Sequence, residues 1–163
     1  TIPIDTNIWE DAVSKLQDGY MPNISHQLLL DGDYFTATQD TRRAIIEFAI
    51  ACESAKDQTY KRLWEAKNFG QKYKKSKLLG GSNNLPDHLS TYFLRIFKHS
   101  YQLHHPENFQ IISDLWNARG NVAHGGKPIF VHKIKRQKVF VDQRVCTVFS
   151  QAALHCINWL FSL

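Results

Sequence analysis

The chain is poor in cysteine. Cys52, Cys146 and Cys156 are the only three in 163 residues. The count is odd and no pair has CxxC spacing, which excludes a disulfide framework. Each lies in an apolar run, where cysteine acts as a small buried hydrophobe. A reducing compartment, the cytoplasm, is therefore expected. Long uncharged apolar runs are missing too. None approaches the roughly 20 residues of a membrane-spanning helix, and no signal peptide is visible. The eight glycines form no phosphate-binding loop and no nucleophile elbow. Metal ligands do not gather: His104 and His105 are adjacent and diverge on a helix, and neither they nor His99 has a Cys or acid at ligand spacing. No metal and no cofactor is expected. There is no internal repeat.

An acid excess is also absent. Lys plus Arg number 20 against 15 Asp plus Glu, a net +5, which tilts the chain mildly toward anionic partners such as RNA or nucleotides. With 43% hydrophobic residues it can bury a real core, and residues 1–163 read as a single domain. The chain starts at Thr1 rather than Met, so a piece excised from a longer protein, with possible further domains, is expected.

What is present is helical periodicity. Asp5 and Thr6 can cap a first helix to about Leu16. Residues 26–40 read as compact linking structure with room for a helical turn. A long second helix runs from Thr38–Asp40 to about Ala66, with Ile45, Phe48, Ala49, Cys52, Ala55 and Leu63 inward. Residues 67–84, with Gly70, Gly80 and Gly81, read as a mobile basic loop. Pro86-Asp87 opens a third helix to about His104, with Leu89, Phe93, Ile96, Phe97, Ser100 and Leu103 inside, and His105-Pro106 is a sharp junction. A fourth helix starts near Pro106. Residues 127–141 alternate apolar and basic residues, which suggests a small hairpin or an extended arm. Asp142 caps a last helix that is the natural partner of the long second one. Trp9, Trp64, Trp116 and Trp159 are read as core. The expected fold is all-α: an antiparallel helical bundle of four to five main helices with a small hairpin near 128–141.

The fourth helix ends in "RGNVAHGG", residues 119–126. At about 100° per residue, Ile111, Leu115, Ala118 and Val122 form its core stripe, and Arg119 lies at the margin. Asp114, Asn117, Asn121 and His124 fall on the polar side, with His124 about 140° from Arg119. Gly120 weakens the helix and Gly125-Gly126 ends it. A histidine in that last turn can exchange a proton at neutral pH, and an arginine beside it can hold a phosphate.

An arginine, four intervening residues and a histidine, late in a helical chain, resemble the R-x4–6-H motif of the HEPN superfamily. "TRRAIIEFAIACESA", residues 41–55, resembles the early long helix of such domains, with Glu53 as its acidic residue in an apolar run. The closing "INWLFSL" is similar as well, and the resemblance spans about residues 8–162. It implies a metal-independent endoribonuclease that works as a homodimer in stress, toxin or anti-phage systems. His124 would move the proton of the 2′-OH and Arg119 would bind the phosphate, leaving a 2′,3′-cyclic phosphate and a 5′-OH. Asn121 and Asn117 would orient His124 or the RNA, and Glu53 would position Arg119. Lys127, Lys133, Lys135 and Arg136 would track the backbone. Two positions depart from the pattern. Gly120 replaces the polar residue that usually follows the arginine, and Gly126 replaces the tyrosine of members paired with nucleotidyltransferases.

Other readings of the same residues stay open. Arg119 and Glu53 can form a structural ion pair, and His124 can cap free carbonyls. Lys133, Lys135, Arg136 and Lys138 can protect a hairpin edge. Lys67, Lys72, Lys74, Lys75 and Lys77, with Phe69 and Tyr73, can form a solvated loop or track a phosphate backbone. The alternative to the enzyme is a non-catalytic HEPN-like module that dimerises or senses a nucleotide or other ligand.

Overall fold

The computed structural model describes residues 23–67, 84–132 and 136–163, together with Glu10, Val13, Ser14 and Gln17. Most of the expected first helix, and the basic loop beyond Lys67, lie outside the described residues. The described chain is all-α apart from one two-stranded hairpin. Its elements are α1 (Ile24–Ala37), α2 (Thr41–Ala66), α3 (Leu85–Asp87), a π-helical turn His88–Tyr92, α4 (Phe93–Phe97), α5 (Tyr101–His104), α6 (Pro106–Gly125), β1 (Ile129–His132), β2 (Gln137–Phe140) and α7 (Gln143–Ser162). No described helix is long and apolar enough to cross a membrane.

The expected boundaries hold where a capping residue sets them. The Asp40 side chain accepts from the Arg43 N–H at 3.2 Å and starts α2. Asp142 does the same for α7, accepting from the Val145 N–H at 2.9 Å. Pro106 opens α6, and Gly126, at φ +63°, closes it. As expected, α2 packs along α7. The Thr59 hydroxyl donates to the Leu160 carbonyl at 3.2 Å, and Arg62 donates to the Phe161 carbonyl at the same distance, so α2 satisfies the free C-terminal carbonyls of α7. Cys52, Cys146 and Cys156 are buried free thiols. Burial pushes Cys146 up to about 11, and Cys156 is also raised, by burial and the adjacent Cys52.

Two expectations are corrected. Residues 26–40 are not linking structure, because α1 occupies Ile24–Ala37. Asp31-Gly32-Asp33 looks like a turn, yet Gly32 is buried mid-helix against the Phe48 ring. A Cβ there would lie 2.5 Å from Phe48 Cδ1, so the glycine serves close approach of α1 to α2. Second, the helix expected over 86–104 is broken. Lys98 is left-handed at φ 67° and ends α4, and Ser100 caps the separate turn α5 by accepting from the Leu103 N–H at 3.3 Å. Leu103 is consequently 68% exposed rather than inward.

Histidines crowd the junction of α5, α6 and α7. The Tyr101 hydroxyl pairs with His155 Nδ1 at 2.8 Å, and the His105 and His155 rings meet edge to face at 4.5 Å. Burial, with His155 and His104 nearby, holds the His105 imidazole below its ordinary 6.5. The unfolded chain therefore takes up that proton first. The stability this site contributes is complete above 6.5 and is lost as pH falls below it. The melting temperature is expected to drop between pH 7 and pH 5, and His105→Gln to flatten part of that drop. An unchanged pH profile in the variant would assign the acid sensitivity elsewhere.

Candidate functional site

The motif sits on the second half of α6. This helix buries Ile112, Leu115 and Ala118 on its inner stripe, so the stripe is rotated slightly from the expected one. Ile111 and Val122 are only half-buried. Asp114, expected on the polar side, is buried, because the hairpin and the start of α7 cover that flank. Trp116 and Trp159 are half-buried against the core, as is Trp64.

Arg119 is half-buried, with its guanidinium carbon 4.9 Å from the Trp116 ring centroid, a cation–π contact one helical turn back. Of the two readings, the structural ion pair with Glu53 is not formed, and Arg119 has no carboxylate partner among the described residues. Glu53 instead lines a shallow groove with Ile24, Ile50 and Asp57 on the α1–α2 face. His124 is exposed in the last turn of α6. The helix does not loosen at Gly120, which faces open space, and it continues to Gly125. The two side chains therefore leave one helix about 140° apart. Within one protomer they do not converge.

Asn117 and Asn121 have a visible structural task. Asn121 Nδ2 donates to the Ile129 carbonyl at 2.9 Å and to Asn117 Oδ1 at 3.1 Å, and Asn117 Oδ1 accepts from the Val131 N–H at 3.4 Å. The two amides thus serve the β1 groups that do not face β2, as a third strand would. They lie on the same helix as His124 and tie the following arm to it. Asn121→Ala is expected to cost about 1 kcal/mol or somewhat more and to speed amide exchange in β1 and β2 while leaving α2 protected. Unchanged exchange in the hairpin would remove this role.

The hairpin joins Ile129 to Phe140 and Phe130 to Val139, with Phe130 buried and Phe140 75% exposed. From Ile129, beside Asn121, β1 runs about 10 Å back along α6. His132 there lines a shelf with Pro106 and Glu107. Arg136, whose N–H donates to the His132 carbonyl at 2.8 Å, belongs to that far end of the hairpin. Lys133 and Lys135 lie outside the described residues. Only Lys127, exposed just past Gly126, adjoins His124 among the expected basic residues that are described. Lys67, the described member of the basic loop, lies over the Phe97 ring at 5.8 Å. No group of His, Cys, Asp and Glu among the described residues is arranged to hold a metal ion.

Periodicity alone gave no sign of two further elements. His88, in the π-helical turn, is buried with Nδ1 3.4 Å from the Tyr60 hydroxyl. A cleft beside Asp114 and Arg144 forms only when α6, β1 and α7 meet. Comparison with protein-family models, with curated proteins and with solved structures finds no match.

Proposed function

We propose that the chain is a HEPN-like domain that pairs with a second copy and cleaves RNA without a metal. The observation that carries this reading is the end of α6. There an arginine without a described carboxylate partner lies over Trp116, and an exposed imidazole follows in the last turn. Such a guanidinium can hold a phosphate through its planar fork, and the imidazole can take the 2′-OH proton and return it to the leaving 5′-oxygen. Because the two groups diverge on one helix, the working pair takes Arg119 from one copy and His124 from the other. Lys127 adds positive charge beside His124. The setting is a cytoplasmic stress, toxin or anti-phage system.

The test is incubation of the dimeric chain with mixed RNA in EDTA. Wild type is expected to leave 2′,3′-cyclic phosphate ends, and folded His124→Ala to leave the RNA intact. No cleavage by wild type at a concentration where it is dimeric would sink the reading. A second reading, a non-catalytic HEPN-like module that dimerises or senses a nucleotide, draws on the same divergence and on Gly120, which supplies no side chain after Arg119. It expects pairing with no cleavage.

A further inference from the structure

The hairpin is closed on one edge and open on the other. On β1, the Ile129 carbonyl and the Val131 N–H, which point away from β2, are met by Asn121 and Asn117 of α6. The outer edge of β2 has no such cover. The Val141 N–H donates to the Pro128 carbonyl at 2.8 Å, which fixes the alternation of the ladder. Gln137 and Val139 bond to β1, and Lys138 and Phe140 turn their N–H and C=O groups outward. Those four groups have no partner among the described residues. The side chains of this edge are equally open. Phe140 is 75% exposed and Val131 40%, on the face that also carries Ile129 and Lys138. Residues 136–142, "RQKVFVD", contain no proline or glycine, and no bulge interrupts the β1–β2 pairing. Of the usual guards against strand pairing, only the edge lysine is present.

We propose that β2 pairs antiparallel with β2 of a second copy, about a two-fold axis at Val139, to make one four-stranded sheet. The segment is complementary to itself in that register. Lys138 and the partner's Phe140 exchange both N–H···O bonds, and Phe140 does the same with the partner's Lys138, so every outward group is satisfied. The lysine then lies beside an aromatic ring rather than another cation, and its stem packs on that ring. Arg136 and Asp142, both exposed, come level with each other's counterpart, so opposite charges meet at both ends. Sliding the pair one way sets Lys138 against the partner's Lys138. Sliding it the other way calls on the Asp142 carbonyl, which already accepts from the Cys146 N–H in the first turn of α7. A lone two-stranded hairpin is marginal, and the added strands give it a wider sheet. The strand order β1–β2–β2–β1 spans three gaps of about 4.8 Å, and each α6 lies beyond its own β1. This contact is therefore a different surface from any that would join Arg119 to His124, and it does not rest on the ribonuclease reading.

The experiment is sedimentation velocity of the whole chain at concentrations up to about 100 µM. Wild type is expected to associate, Phe140→Ser to weaken association at least about tenfold, and Lys138→Pro to abolish pairing through this edge. Proline at 138 removes an N–H that β1 does not use, so amide exchange at Val139 should stay slow. Val139→Cys, on the axis, brings two Cα atoms to about 4.5 Å, within disulfide range. It is expected to form an interchain disulfide in oxidised glutathione. Gln137→Cys, about 13 Å from its counterpart, is not, and the native cysteines are buried. If Lys138→Pro fails to fold, Phe140→Ser, at its exposed position, decides the matter. A wild type that stays monomeric would overturn the proposal, even if its edge takes up some other strand. So would association that neither variant weakens, or a disulfide formed by Gln137→Cys in preference to Val139→Cys.

Discussion

Phe48→Ala is expected to lower the stability of the fold by about 3–5 kcal/mol, the range for emptying a fully buried aromatic position. Phe48 is fully buried on α2, and its ring fills the space left by the missing side chain of Gly32 on α1. The complementary change tests the same contact from the other side. Gly32→Ala gains about 1 kcal/mol of helix propensity. It also places a methyl group 2.5 Å from Phe48 Cδ1, and overpacking of that kind costs about 1–3 kcal/mol. The single variant is therefore expected to be neutral or destabilised, against its propensity. In the Phe48→Ala background the clash is gone and the methyl enters the cavity. The double variant should then be more stable than the sum of the singles by more than about 0.5 kcal/mol. Urea denaturation with an unchanged slope reads all three. Strict additivity would show that Gly32 and Phe48 are not packed as described.

The same pair shows what periodicity could and could not reveal. The boundaries of α2, α6 and α7 were legible because Asp40, Asp142, Pro106 and Gly126 act locally, through a side chain or a fixed φ. α1 was not legible, since a glycine between two aspartates signals a turn by itself. Only Phe48, far along the chain, makes it a packing position. The break at Lys98 carries no glycine to announce it. Within α6, the helical wheel placed Arg119 and His124 correctly on diverging sides, but it misread Asp114. A wheel shows which residues are apolar, and it does not show that β1 and α7 will cover a polar one. The wheel also sets Asn117 and Asn121 on the polar side beside His124. Their bonding to Ile129 and Val131 depends on where the chain turns after Gly126.

Mixing two inactive variants is expected to restore activity, and this is the sharpest test of how the motif works. Removing a general acid–base costs about 10²–10⁴-fold in rate. Removing a phosphate-binding cation costs a comparable amount. His124→Ala and Arg119→Ala homodimers should therefore both be nearly inert. The geometry of α6 determines the result of combining them. With Arg119 and His124 about 140° apart on an unbroken helix, the proposed cleft draws one residue from each copy. A mixed dimer then holds one site with both residues intact and one site with neither. Random exchange of subunits makes about half the dimers mixed, so the blend should recover about a quarter of the wild-type rate. Had each protomer used its own pair, every site in the blend would lack one residue and nothing would return. Gel filtration of the blend, together with a count of cyclic-phosphate ends over time, reads pairing and chemistry separately. Recovery would place the two residues in one shared cleft. A blend that pairs but stays inert, beside an active wild type, would show that they do not act across the interface. The helix would then have to deform at Gly120 for them to meet.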